Sequence, residues 1–304
     1  MRILLTGGAG YVGSVLAPLL VSEGHDVTIL DAFRRGPQGV LPVLASPASR
    51  RVALVRGDVR DPSHRPLFAS HDAIVHLAAL VGYPACDADP VEAQSLNVEG
   101  TRHLVSCLGD GQVLLLASTG SSYGKVEGLC TEDHPINPLT LYGRTKAEAE
   151  SIVLGRGRSI VLRLATLFGV SPAHRNDLLV NDMVRRAVAD RSIVLYEGWA
   201  QRSLLHVRDC ARAMALALAR SDIMAGRIFN VGDESLNLTK RQIVATITEK
   251  APARVIEADY QQDPEKRDYP VSFERIRSVG FRSEVGLPEG IDELCKLYAV
   301  LPRV

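Results

Sequence analysis

The chain has 304 residues, of which 46% are hydrophobic and 23% charged, a composition typical of a globular protein with a sizeable core. It carries 35 basic and 35 acidic residues, so net charge gives no general attraction to nucleic acid or to a membrane surface. The five cysteines are odd in number and lack the spacing of metal ligands, which argues against both a disulfide framework and a zinc site.

Short apolar strands alternate with helical segments through the first half of the chain. The predicted strands are residues 2–7, 26–31, 52–58, 73–78, 113–118 and 159–165. The predicted helices are residues 11–24, 91–107 and 141–154. Because nearly every residue of these strands is apolar, the pattern indicates a parallel sheet covered by helices on both faces. We predict an α/β fold built on a doubly wound, Rossmann-type sheet.

After residue 165 helices and strands follow each other less regularly. We predict that residues 1–165 form a first domain and that residues 166–304 mainly form a smaller, mixed α/β lobe. Segment 205–234 is predicted to return to the first sheet, which leaves 166–204 and 235–304 for the lobe.

A glycine-rich stretch, TGGAGYVGS, joins the first predicted strand to the first helix. Its glycines are spaced three residues apart: Gly7, Gly10 and Gly13. Such glycines let the backbone approach a pyrophosphate, whose charge the amino end of the helix stabilises. Asp31, at the end of the second strand, supplies a carboxylate that accepts ribose hydroxyls and repels a 2′-phosphate. The first domain is therefore predicted to bind NAD rather than NADP, although Arg34 and Arg35 lie close enough to meet a phosphate.

Asp58 stands at the carboxyl end of the third predicted strand, within GDVRD. Its carboxylate can accept from the exocyclic amine of adenine, with Val59 packed on the ring. It can equally hydrogen-bond its own turn. Both interpretations stay open.

Tyr142 and Lys146, in LYGRTK, lie on one face of the predicted helix 141–154 because their spacing is i, i+4. A phenol with a pKa of about 10 is a poor base at neutral pH. A lysine one turn away, together with a positively charged nicotinamide, favours the phenolate and lowers that pKa. A hydroxyl from ASTGSSYG, after the fifth strand, is needed to hold the substrate; the spacing predicts hydride transfer at a hydroxyl-bearing carbon.

The order and spacing of these motifs resemble the extended short-chain dehydrogenase/reductases, in particular the NAD-dependent nucleotide-sugar epimerases and dehydratases similar to UDP-glucose/galactose 4-epimerase. The resemblance spans nearly the whole chain and includes HLAAL (76–80), LNVEGT (96–101), VLRLATLFG (161–169), RSLLHVRDCARA (202–213) and IFNVGD (228–233). It implies that Thr119 is the catalytic hydroxyl beside Tyr142 and Lys146.

The resemblance also implies the residues that contact cofactor and substrate. The expected cofactor-binding residues are Gly7, Gly10, Tyr11, Val12, Gly13, Asp31, Asp58, Val59, Leu77, Ala78, Ala79, Asn97, Tyr142 and Lys146. The expected substrate-binding residues are Ser118, Thr119, Ser121, Tyr83, Thr166, Asn181, Tyr196, Arg202 and Arg267. Arg202 is expected to bind the diphosphate of a nucleoside-diphosphate sugar, and the family implies a homodimer.

Gly120 and Ser121 follow Thr119, at the positions where 4,6-dehydratases of this family carry Asp-Glu. Without an acid there, we expect 4-epimerisation through a 4-keto sugar. Reduction of a 4-keto sugar is the alternative, and oxidation coupled to decarboxylation is a third. A non-catalytic NAD-sensing protein is less favoured, because such proteins commonly lose the tyrosine or the lysine. The first ten residues do not form a signal peptide, and we expect a cytoplasmic protein with no metal and no membrane partner.

Overall fold

The computed structural model describes residues 1–258, 263–265 and 267–301. These residues form twelve β-strands: β1 (Arg2–Thr6), β2 (Asp26–Asp31), β3 (Val52–Arg56), β4 (Ala73–His76), β5 (Val113–Thr119), β6 (Ser159–Leu164), β7 (Thr166–Phe168), β8 (Ser192–Leu195), β9 (Gln201–His206), β10 (Arg227–Val231), β11 (Asn237–Thr239) and β12 (Arg254–Glu257). The α-helices of the same residues are α1 (Gly13–Ser22), α2 (Leu41–Leu44), α3 (Arg65–Ala69), α4 (Tyr83–Ala88), α5 (Pro90–Gln94), α6 (Gly100–Ser106), α7 (Leu141–Leu154), α8 (Leu179–Asp190), α9 (Val207–Ala219), α10 (Ser221–Met224), α11 (Lys240–Lys250), α12 (Glu274–Ser278) and α13 (Leu287–Val300).

Seven parallel strands form the large sheet, in the order β10-β6-β5-β4-β1-β2-β3. Both faces are covered: Ile3 and Leu5 of β1 join one core with α1 and α9, whereas Leu4 joins the opposite core with α6 and α7. The order reverses direction between β1 and β4, where the carboxyl ends of the strands open a crevice. The predicted doubly wound α/β fold is confirmed.

A smaller lobe adjoins the carboxyl ends of these strands. Strand β9 lies between β7, which runs parallel to it, and β11, which runs antiparallel. Strands β8 and β12 form a parallel pair. Helices α8, α11 and α13 pack with these strands around a separate core, so the expected mixed α/β lobe is present.

Segment 205–234 contributes α9, which packs on α1 in the first core, and β10, which pairs with β6 at the edge of the large sheet. These contacts agree with the return of the segment to the first sheet. The division of the chain into domains at residue 165 stays a prediction.

The predicted helix 91–107 is not one regular helix. A π-helical turn, Ser95–Glu99, separates α5 from α6. Within that turn the Asn97 amide accepts a hydrogen bond from the Leu80 backbone N–H (2.7 Å) and donates to the Leu80 carbonyl (3.0 Å). The turn therefore aims Asn97 at the loop after β4, a common reason for such turns at functional sites.

No helix among the described residues combines the length and the apolar character that a membrane span needs. All five cysteines are free thiols, and four of them are buried.

Candidate active site

The turn between β1 and α1 leaves room only for glycine at two points. Gly7 has a φ of +71°, and a Cβ there would lie 2.7 Å from the backbone nitrogen of Ala78. A Cβ on Gly13 would lie 2.5 Å from the Cα of Gly8. The backbone is therefore closely folded at the amino end of α1, as a dinucleotide turn requires.

The amino end of α1 has no side-chain cap among the described residues, and its N-cap is Val12. The first N–H groups of a helix have no partner within the helix. Here the N–H groups of Ser14 and Val15 already bond the carbonyls of Gly10 (2.9 Å) and Val12 (3.1 Å). Among the described residues no such bond is found for the Gly13 N–H, which together with the helix dipole favours a pyrophosphate at this end.

Asp31 lies beside the glycine turn. Its carboxylate accepts hydrogen bonds from the backbone N–H groups of Ala9 (3.0 Å) and Phe33 (2.7 Å). Two bonds leave a carboxylate with further acceptor capacity for ribose hydroxyls. Arg34 pairs with Glu92 at 2.7 Å, so its charge is already balanced within the protein. Both contacts favour NAD over NADP.

Asp58 takes part in an ion-pair group on the same side of the sheet. It accepts from the Arg60 backbone N–H (2.9 Å) and pairs with the Arg60 guanidinium (2.6 Å), which also pairs with Glu92 (2.6 Å). The bond to Arg60 holds the pKa of Asp58 below its usual value. Asp58 therefore hydrogen-bonds its own turn, as one of the two interpretations proposed. Its contact with adenine stays a prediction. Val59 is buried.

A cavity of about 820 Å³ lies between the large sheet and the smaller lobe, a size suited to a substrate together with part of a cofactor. It brings together most of the predicted residues: Gly7, Gly10, Tyr11, Val12, Gly13, Leu77, Tyr83, Ser118, Thr119, Ser121, Tyr142, Thr166, Tyr196, Arg202 and Arg267. Seven predicted residues do not line the cavity: Asp31, Asp58, Val59, Ala78, Ala79, Asn97 and Lys146. Lys146 lies one turn after Tyr142 on the same helix, α7.

Asn181 is placed away from the cavity wall, contrary to its expected contact with substrate. It is fully buried, accepts from the Gly169 N–H (3.0 Å) and donates to the Arg175 carbonyl (2.9 Å). The amide is engaged by backbone groups, so Asn181 fixes the loop before α8. A sequence motif alone does not show which way this side chain points.

Tyr142 begins α7, whose N-cap Thr140 accepts from the Gly143 N–H at 3.2 Å. Tyr142 is 9% exposed and Lys146 is 4% exposed. Across the cavity, the Thr119 hydroxyl at the end of β5 donates to the Ser121 hydroxyl and accepts from the Ser121 N–H, each at 3.1 Å. The phenol of Tyr142 and the hydroxyl of Thr119 therefore both line the cavity, whereas the buried amine of Lys146 does not; that the three groups act together stays a prediction.

Burial changes the proton affinities of the pair in opposite directions. It raises the pKa of Tyr142 above its usual value, Glu265 raises it further, and Arg175 and a bond to Thr119 lower it. Burial lowers the pKa of Lys146 to about 8, although the negative charge of Glu150 acts in the opposite direction and raises it. The expected lowering of the Tyr142 pKa is not found from protein groups alone, because desolvation is the largest effect; that expectation also relied on the charge of the nicotinamide.

Helix α7 is held to the sheet by a buried carboxylate. Glu150 pairs with Arg163 of β6 at 2.7 Å, and both side chains are 3% exposed. Ser118 donates to the same carboxylate, so its hydroxyl is engaged within the protein although the residue borders the cavity. Ser118 thus supports α7 and also lines the cavity, and its contact with the sugar stays a prediction.

The far end of the cavity is rich in charge. Arg202 pairs with Asp263, and Arg267 pairs with Glu265 at 2.7 Å. Lys240 pairs with Glu197 at 3.3 Å. Sequence reasoning missed Asp263, Glu265 and Lys240. For the two acids the signal was the dense charge in DPEKRD (263–268), a stretch that includes Arg267.

A glycine cradle at a topological switch point, beside a tyrosine–lysine pair and a hydroxyl, defines a dinucleotide-binding protein equipped for proton and hydride transfer. The chain belongs to the NAD dependent epimerase/dehydratase family, whose model matches residues 3–232. The cofactor is NAD, and the sequence resemblance is confirmed at the level of the family.

Known proteins similar to the chain include enzymes of two reaction types. It is 32% identical over 256 residues to a UDP-glucose 4-epimerase of Corynebacterium glutamicum, covering 76% of this chain and 75% of that protein. It is 30% identical over 308 residues to a dTDP-glucose 4,6-dehydratase of Streptomyces griseus, covering 95% and 92%. Among solved structures, DesIV, a dTDP-glucose 4,6-dehydratase from Streptomyces venezuelae with NAD and TYD bound, has a TM-score of 0.85 at 26% identity, covering 98% and 97%.

Proposed function

We propose that this protein is an NAD-dependent 4-epimerase of a nucleoside-diphosphate sugar. The observation that carries the proposal is the set formed by Thr119, Tyr142 and Lys146. Directly after Thr119, the loop that follows β5 has Gly120 and Ser121 at the positions where a dehydratase would need acids. The set suffices to oxidise and re-reduce one carbon, and it offers no acid in that loop for removing water.

Each residue has a defined task in this reaction. Thr119 accepts or donates a hydrogen bond at the C4 oxygen and orients it. Tyr142 takes the proton of the C4 hydroxyl and later returns it to the oxygen of the 4-ketone, while the hydride returns to the opposite face of C4. Lys146, when protonated, stabilises the phenolate. NAD, held by the glycine turn and Asp31, supplies the acceptor and donor of the hydride.

An epimerase must let the 4-keto sugar turn within the site before it is reduced. The cavity of about 820 Å³ gives space for this motion. This space supports rotation of the sugar.

Reduction of a 4-keto nucleotide sugar is the second candidate, since it would use the same three residues. It is less favoured because such reductases commonly consume NADPH. Asp31, and Arg34 already paired with Glu92 at 2.7 Å, favour NAD.

The proposal is tested by incubating the protein and NAD with a panel of nucleotide hexoses, pentoses and uronic acids, followed by NMR. We expect a C4 epimer without net change in NADH. Tyr142→Phe should lower turnover by about 10²- to 10⁴-fold, the usual contribution of general acid–base catalysis, while NAD binding shows that the variant is folded. Net NADPH consumption with a 4-keto sugar would instead identify a reductase, and loss of water a dehydratase.

A further inference from the structure

Arg202, on β9, is the residue expected to hold the substrate's diphosphate, yet its guanidinium is already occupied. It is 4% exposed. One terminal nitrogen pairs with the Asp263 carboxylate, and the other donates to the carbonyl groups of Gln201 and Arg267. A phosphate oxygen that approaches the first nitrogen is repelled by the carboxylate already there, so it binds more strongly after the carboxylate has left.

Arg267, the second expected substrate arginine, is in a similar position. It pairs with Glu265 at 2.7 Å, but only half of the usual two-bond fork is made. Among the described residues, Glu265 Oε1 and Arg267 Nε are buried and have no hydrogen-bond partner. The Nε–H of Arg267 therefore has no acceptor, although Glu265 pairs with another nitrogen of the same guanidinium.

Asp263 and Glu265 thus present two negative charges to two arginines on one cavity wall. A diphosphate also presents two or more negative charges, and it has more acceptor oxygens than either carboxylate offers. It can replace both acids and supply the acceptor that Arg267 Nε lacks.

We propose that Asp263 and Glu265 take the place of the substrate's diphosphate in the substrate-free protein and that the diphosphate displaces them on binding. The inference rests on the proposed nucleotide-sugar function. It makes these two acids determinants of substrate affinity: each lowers affinity by competing for a cation that the substrate needs.

The test uses the full chain saturated with NAD, with inorganic pyrophosphate and UDP as probes in isothermal titration calorimetry. Asp263→Asn and Glu265→Gln keep the shape of each side chain and remove its charge. Each should tighten pyrophosphate binding by roughly threefold to thirtyfold. Glu257→Gln is the matched control, because Glu257 pairs with exposed Arg241 away from the cavity, and it should leave the affinity unchanged.

The effect must also depend on the arginine. In an Arg202→Gln background, Asp263→Asn should change pyrophosphate affinity by less than about twofold, because the competing pair no longer exists. If both Asp263→Asn and Glu265→Gln bind pyrophosphate as tightly as the wild type or more weakly, and the wild type catalyses C4 epimerisation, the displacement inference is wrong while the proposed function stands. Tighter binding by these variants, without turnover of any nucleotide sugar, supports displacement and overturns the proposed function.

Discussion

At the scale of residues, Tyr142 and Lys146 show how burial alters the proton affinities of two neighbouring groups. Both groups lose hydration on burial, which disfavours the anion of the phenol and the cation of the amine. With its pKa lowered to about 8, Lys146 carries its proton for most of the time at neutral pH. It loses that proton as the pH rises through about 8.

We therefore expect kcat/KM to fall as the pH rises above about 8, since deprotonated Lys146 no longer stabilises the phenolate of Tyr142. The measurement is the pH profile of kcat/KM for the active nucleotide sugar. Lys146→Arg should be slower but should lose this alkaline fall, because a guanidinium stays charged throughout. A wild-type profile that keeps rising through this range would contradict the assigned role of Lys146.

The sequence was informative for residues whose role follows from a motif. Tyr142 and Lys146 share one helix face because of their spacing, and the family resemblance adds Thr119 at the end of an apolar strand. A motif does not show which neighbour takes a hydrogen bond, so it did not reveal that Ser118 donates to Glu150 or that Asn181 bonds the backbone at Gly169. Glu265 comes to the site from another part of the chain, and only the tertiary fold shows that it lies near Tyr142.

At the scale of elements, the position of α7 depends on Glu150, which lies two turns beyond Tyr142 on the same face. Its pair with Arg163 and its bonds from Ser118 and Ser122 (3.4 Å) join the helix to β5 and β6. The catalytic pair is thus aligned with Thr119 by a contact outside the cavity.

Glu150→Ala should destabilise the protein by about 3–5 kcal/mol, because it leaves the buried Arg163 cation without a partner. Urea unfolding followed by circular dichroism measures this loss. The control is Glu257→Ala, which breaks the exposed pair with Arg241 and should cost about 0–1 kcal/mol. Equal effects of the two substitutions would show that the Glu150–Arg163 pair does not anchor α7.

Element boundaries were predictable where the chain itself determines them. Strand β2 spans Asp26–Asp31 as predicted, because a turn precedes it and the loop of Phe33 follows. The π-helical turn Ser95–Glu99 could not be predicted, since its helical periodicity gives no sign of it and its stabilising contact with Leu80 forms only in the folded protein.

At the scale of the whole molecule, the cofactor and the fold should be linked thermodynamically. A ligand that binds only the native state stabilises it by about 2.7 kcal/mol at a concentration one hundred times its Kd. We expect NAD to raise the midpoint of thermal unfolding measurably. NADP should have a smaller effect at the same concentration, because Asp31 would face its 2′-phosphate; equal shifts would contradict the preference for NAD.

The large sheet and the smaller lobe were both predictable, because apolar strands separated by helices have few alternative arrangements. The cavity between them was not, since its walls combine β5, α7, α8 and β9 with Asp263, Glu265 and Arg267. Homodimerisation stays a prediction from the family resemblance, and location in the cytoplasm stays a prediction from the sequence.

The central claim is that one carbon of the sugar is oxidised and then re-reduced with the same hydride. The most direct measurement uses the active nucleotide hexose labelled with deuterium at C4, incubated with protein and NAD and followed by NMR. We predict inversion at C4 with the deuterium retained there, no hydrogen exchange at C3 or C5, and no net NADH. Loss of the C4 deuterium to solvent would contradict 4-epimerisation. So would a product formed from the sugar by elimination of water or by loss of carbon dioxide.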